Sequence, residues 1–211
     1  MLFLDEIVEF PRSVLEVLRQ PLEDGEVVIS RAKHSIKYPA DFILLAAMNP
    51  CPCGFLGDKE KKCICTDYQI KRYSSRLSGP LLDRIDIQIN VPRLTANELL
   101  STKEDGETSE EIRNRVIAAR KVQKERYKNI GILTNSQLTS SNIKKYCQVE
   151  ESSKTLLKSA VSRYQLSGRR YDRLLKLSRT IADLDGSENI TSKHLTQALQ
   201  YRLNNIVQKN N

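Results

Sequence analysis

The chain has 211 residues, 39% hydrophobic and 28% charged, a balance that fits one large or two small globular domains and excludes fibrous and disordered classes. No run approaches the ~20 apolar residues of a membrane-spanning helix, and Met1–Phe10 carries three carboxylates where a secretory leader carries basic residues, so the expected location is cytoplasmic with no membrane partner. The net charge of +8 sits in the second half: residues 1–95 hold 13 Lys/Arg and 13 Asp/Glu, whereas residues 96–211 hold 21 and 13, a surplus compatible with DNA or with solvated basic helices.

The apolar run Met1-Leu2-Phe3-Leu4 stops at Asp5-Glu6, the pattern of a buried strand whose tip presents two carboxylates. A helix is expected from Pro11 to about Arg19, ended by Pro21, then a turn at Glu23-Asp24-Gly25. Residues 27–31 and 35–38 read as a hairpin with Arg31, Lys33, His34 and Lys37 near its tip. A second buried strand, residues 41–47, stops before Asn49-Pro50. Ligands of open α/β sheets bind beyond strand carboxyl ends, so Asp5, Glu6 and Asn49 are expected to converge on one crevice.

A Cys, Gly and Lys-rich loop fills residues 51–66, followed by a helix over Asp67–Leu77, a break at Ser78-Gly79-Pro80 and an alternating strand of Ile85, Ile87, Ile89 and Val91. Residues 1–93 then form a first domain, 94–108 a linker, and 109–207 a helical domain with helices at 109–127 and about 141–147, 151–164, 168–185 and 192–204. On the first of these, Ile112, Val116, Ala119 and Val122 make the apolar stripe, and its basic face contacts phosphates or is simply solvated.

Four of the five cysteines form two tight pairs, Cys51/Cys53 and Cys63/Cys65, which argues against a disulfide framework and leaves a four-thiolate zinc knuckle or spare thiols. Cys147 falls on the apolar side of a helix and reads as core. His34 and His194 are isolated and receive no role.

An apolar strand ending in Asp-Glu is the pattern that holds hydrated magnesium and polarises the water attacking a γ-phosphate. Asn49, the Leu81-Leu82-Asp83-Arg84 turn and Ser167-Gly168-Arg169-Arg170 at a helix start follow in order. The segments LFLDEIVEFPRSVLEVLRQPLEDGEVVISR, LLAAMNPCPCG, SGPLLDRIDI and LSGRRYDRLLKLSRTIADLDG resemble the magnesium-chelatase-like AAA+ ATPases of the ComM/YifB competence-protein family over essentially the whole chain.

The resemblance implies an α/β fold, the distal half of a P-loop AAA+ sheet domain followed by an all-helical lid. It implies Asp5 as magnesium ligand, Glu6 as the catalytic carboxylate, Asn49 as the first sensor and Arg84 as the arginine finger. Arg169 becomes the second-sensor arginine of the lid, with Arg173 the second choice, and the basic hairpin tip (Arg31, Lys33, Lys37) projects toward the channel of a hexameric homo-oligomeric ring. ATP with magnesium is the implied cofactor and DNA processing in transformation or recombination the implied work. A chelatase-type subunit and a non-catalytic remnant are the alternatives.

No G-x-x-x-x-G-K-S/T sequence occurs in the 211 residues, so the β- and γ-phosphates lack their cradle here. A split-gene product, a decayed gene's remnant and a truncated chain all fit this pattern. The expectation is unburied apolar sheet surface and pairing with a separate N-terminal fragment.

Overall fold

The structure, a computed structural model, describes residues 1–31, 34–100 and 106–203, with Arg31, Asn97 and Leu203 described by their backbone alone. It mixes helices and small sheets in two compact units, which over the described residues are Met1–Arg93 and residues 94–203. No helix among the described residues is long and apolar enough to cross a membrane.

In the first unit, β1 (Leu2–Leu4) pairs in parallel with β4 (Leu44–Ala46), in the register Leu2↔Leu44, Phe3↔Leu45, Leu4↔Ala46. Parallel strands require a long crossover, and this one carries α1 (Arg12–Val17), α2 (Arg19–Asp24) and the antiparallel hairpin β2 (Glu26–Arg31)/β3 (His34–Pro39). Two helices stand where one was expected, and Pro21 lies in the first turn of the second rather than ending the first. A proline there forfeits only an N–H that has no intrahelical partner.

One face of the short parallel ladder is covered. Leu4 and Ala46 pack on a core of Ile7, Val8, Leu15, Leu77 and Leu81, built with α3 (Asp67–Ser74) and α4 (Gly79–Leu82). The opposite face leaves Phe3 55%, Ile43 70% and Leu45 51% exposed, so the strands expected to be buried on both sides are buried on one. The alternating residues Ile85 to Val91 join no ladder, and Ile87, Ile89 and Val91 are exposed. Alternation marks a side fit for burial, but a strand forms only where another backbone accepts and donates its hydrogen bonds.

The second unit is helical. It comprises α5 (Ala96–Leu100), within the segment read as a linker, then α6 (Ser109–Tyr127), α7 (Ser140–Tyr146), α8 (Lys154–Arg163), α9 (Gly168–Leu184) and α10 (Ser192–Leu203). Thr108 and Glu111 close a capping box at the start of α6, satisfying two otherwise orphaned N–H groups. Gly186, at φ 68°, supplies the left-handed residue just past α9. Cys147 lies in the core with Tyr127, Ile143, Leu174, Leu195 and Ala198.

The buried stripe of α6 is Ala119, Gln123 and Tyr127, whereas Ile112, Val116 and Val122 remain exposed. A carboxylate causes the shift. Asp183 on α9 is buried and accepts hydrogen bonds from Gln123 (3.1 Å), Arg126 (2.6 and 3.0 Å), Asn135 (2.8 Å) and Arg179 (3.0 Å). Tyr127 donates to Asn135 Oδ1 at 2.5 Å, and Arg179 donates onward to the Glu188 and Ser187 carbonyls at 2.6 and 2.5 Å. His194, also buried, accepts from the Thr191 N–H at Nδ1 and meets Asp185 at 3.0 Å through Nε2.

Burial opposes ionisation of Asp183, but the Arg126, Asn135 and Arg179 contacts outweigh it and hold the carboxyl below its ordinary range. Asp183→Ala strands the buried guanidinium of Arg179 and the half-buried one of Arg126 and is expected to cost about 3–5 kcal/mol in urea unfolding at neutral pH. Because the folded-state pKa is depressed, the carboxylate's contribution is fully present above the ordinary value of ~4 and is lost as the pH falls through the folded one. The wild-type and variant unfolding curves should therefore converge in acid.

Candidate functional site

Parallel pairing puts the carboxyl ends of β1 and β4 on the same sheet edge. Beyond the register pair Leu4↔Ala46, the Ala47 N–H donates to the Leu4 carbonyl at 2.9 Å and the Ile7 N–H donates to the Ala47 carbonyl at 3.0 Å. Asp5 and Glu6 lie between these two bonds, both exposed. Glu6 adopts a left-handed conformation (φ 48°, ψ 44°) and its N–H donates to Asp5 Oδ1 at 2.9 Å. That conformation costs a side-chain-bearing residue about 1–2 kcal/mol, and such strain concentrates at functional positions.

Asn49, three residues past β4, is exposed beside the loop of residues 51–66, its Oδ1 4.0 Å from where a Cβ on Gly54 would stand. Burial, and after it the nearby Glu9 carboxylate, push the Tyr73 phenol up against the pull of the Asn49 backbone N–H. Arg76 ties α3 back to the strand exit, donating to the Val8 carbonyl at 3.2 Å and Glu9 Oε2 at 2.8 Å. The sequence shows Arg76 as one of a helical pair with Arg72, but nothing there singles out Tyr73.

Arg84 follows α4, with its side chain 15% exposed. Nε donates to the Arg19 carbonyl (3.1 Å), Nη1 to the Pro80 carbonyl (2.7 Å), and Nη2 meets Glu23 Oε2 at 3.0 Å. In this conformation the guanidinium is held by its own chain. Arg169 and Arg173 occupy the first two turns of α9 in the other unit, the first exposed and the second half-buried. On the hairpin, Arg31 ends β2, Lys33 lies outside the described residues, and Lys37 is exposed and ion-paired with Glu26 at 2.6 Å. That hydrogen bond raises the lysine's pKa.

The two cysteine pairs come together. The Cys51–Cys53, Cys51–Cys63 and Cys53–Cys63 sulfurs are 3.4, 3.6 and 3.5 Å apart, and all four sulfurs, including that of Cys65, lie within 4.8 Å of one another. Backbone N–H groups of Phe55 and Ile64 aim at Cys53 and bring its thiol down to about 6. The Cys65 N–H acts in the same sense on Cys63, but burial and the neighbouring thiols push that group up to about 12.

Exposed carboxylates at Asp5 and Glu6, with Asn49 on the same edge, suit a hydrated magnesium ion and an attacking water. The cradle for β- and γ-phosphates is not among these 211 residues.

Two family descriptions match: "Magnesium chelatase, subunit ChlI" over residues 1–99 and "Magnesium chelatase, subunit ChlI C-terminal" over residues 106–202. The chain is 46% identical to competence protein ComM of Haemophilus influenzae over 202 residues, which is 96% of this chain and 38% of that protein. It is 42% identical to the uncharacterized protein YifB of Escherichia coli, again over 96% of this chain and 39% of the relative. An uncharacterized Mycobacterium tuberculosis protein is 37% identical over the same share. The chain thus spans about two fifths of the length of these relatives.

Proposed function

Because the chain belongs to the magnesium-chelatase-like ComM/YifB family of AAA+ proteins, we propose that it supplies the hydrolytic half of an ATPase site in a ring motor acting on DNA. The observation that carries this reading is the parallel β1/β4 pairing that sets Asp5, Glu6 and Asn49 on one sheet edge.

On this proposal residues 1–93 are the distal part of the ATPase core and the helical unit is its lid. Magnesium bound there would neutralise charge developing on the phosphates. Asp5 would hold the ion, Glu6 would orient and accept a proton from the attacking water, and Asn49 would fix that water from the neighbouring strand. Arg84 exchanges Glu23 for a phosphate on the adjoining subunit, and Arg169, or Arg173 after it, answers the γ-phosphate from the lid. The ring is homo-oligomeric, its cofactor ATP with magnesium, and its hairpins carry Arg31, Lys33 and Lys37 toward DNA.

A phosphate-binding segment bearing G-x-x-x-x-G-K-S/T, joined to the chain or mixed with it, completes the test. ATP turnover is expected, and Glu6→Gln should lower it at least about 100-fold while nucleotide binding persists. Turnover indifferent to that substitution, or a nucleotide-bound assembly that never turns over, overturns the proposal.

DNA binding has a separate readout. When Arg31, Lys33 or Lys37 becomes Ala, the slope of log affinity against log salt should flatten by about 0.9 for every duplex phosphate that the side chain neutralises. Unchanged slopes in all three variants would remove the hairpin from the DNA path.

A further inference from the structure

We propose that Cys51, Cys53, Cys63 and Cys65 bind one zinc(II) ion as four thiolates, forming a structural centre that holds the loop between Asn49 and α3 in place. Four Zn–S bonds of ~2.3 Å directed tetrahedrally separate their sulfurs by ~3.8 Å. The pairs among Cys51, Cys53 and Cys63 lie at 3.4–3.6 Å, so a few tenths of an ångström of outward movement admits the ion. A multi-iron cluster would hold its cysteines farther apart, because irons and sulfides lie between them. The soft, all-sulfur donor set selects zinc over magnesium or calcium.

The surroundings are those of a built site. Backbone N–H groups of Phe55 and Ile64 point at Cys53, that of Cys65 at Cys63, and that of Cys53 at Cys65, so the turns supply donors to sulfur in the way outer-shell groups support a metal's ligands. Gly54 and Gly57, at φ 80° and 82°, allow the reversals that return the chain on itself. Asp58 accepts the N–H groups of Glu60 and Lys61 at 2.8 and 2.9 Å, fixing the turn before the second cysteine pair. The Phe55 ring lies between Lys61 Nζ, 4.1 Å from its centroid, and the Arg93 guanidinium, at 5.6 Å.

Hydrophobic burial does not account for the order of this loop. Of residues 51–66 only Cys51 is fully buried, and Ile64 is 85% exposed. A short segment without a core requires another cross-link, and a metal supplies one. The centre also lies beside the candidate catalytic edge: Cys51 is two residues from Asn49, and a Cβ built on Gly54 would stand 4.0 Å from Asn49 Oδ1. This positioning consequence rests on the role proposed for Asn49, whereas the metal centre itself does not.

The test uses the whole 211-residue chain, purified without a histidine tag. Zinc measured by mass spectrometry is expected at one ion per chain, falling below about a tenth of an ion in the Cys63→Ser/Cys65→Ser double variant. Replacing zinc with cobalt(II) alone should give the intense d–d absorption of a tetrahedral four-thiolate site. Chelation should speed amide exchange over residues 49–55 at least about tenfold, with the α9 amides of the same molecules as the internal control for folding. A folded wild-type chain that takes up no zinc, a double variant that keeps it, or a cobalt spectrum with oxygen or nitrogen ligation each overturns the proposal. Zinc without a change in exchange at Asn49 overturns the positioning role alone, and none of these outcomes depends on ATP turnover.

Discussion

Two backbone hydrogen bonds to Ala47 govern the first unit. One ties its N–H to Leu4 and the other its carbonyl to Ile7, and between those anchor points only Asp5 and Glu6 remain to span the gap. The chain has no slack to bury either carboxylate, so both face outward, and Glu6 takes a left-handed conformation that a side-chain-bearing residue normally avoids. Moving either anchor by one residue would exchange the faces of β1, because side chains alternate along a strand. Leu4 would then leave the core it shares with Ala46 and Leu81. Packing of the covered face thus sets where the acidic pair emerges.

The two units reach order by different means. In the helical unit, Tyr127, Leu174, Leu195 and Ala198 form a closed core, and the polar groups within it converge on Asp183. In the first unit one sheet face is covered and the other leaves Phe3, Ile43 and Leu45 in contact with solvent. Apolar side chains on both sides of a parallel ladder are the mark of strands covered on both sides, and such a patch is a site for a further element or partner.

Much of this is legible in the sequence because the signals are local. The run Leu2-Phe3-Leu4 before Asp5-Glu6 locates β1, the helical pattern sets the limits of α6 at Ser109 and Tyr127, and Gly186 marks the stop of α9. What escapes depends on distant partners. Ile87, Ile89 and Val91 alternate like a strand, but they join no ladder among the described residues. Periodicity assigns α6 the wrong buried face because it ranks Val116 and Val122 above Gln123, and only Asp183, sixty residues away, makes burial of a glutamine favourable.

Asp183 and the cysteine cluster pose the same electrostatic problem with opposite signs of imbalance. Around Asp183 one carboxylate faces the guanidinium groups of Arg126 and Arg179 and two amide donors, so burial leaves no negative charge unanswered. The thiols are crowded to 3.4–3.6 Å with only backbone N–H dipoles directed at them. At such separations two thiolates repel each other far more strongly than an N–H dipole attracts either, so the four sulfurs ionise together only beside a cation. The loop therefore has the shape of a four-thiolate centre without the charge that would let all four sulfurs ionise together. A divalent cation at their midpoint supplies that charge and replaces mutual repulsion with four bonds, which is why the geometry points to a metal rather than to four thiols in chance proximity.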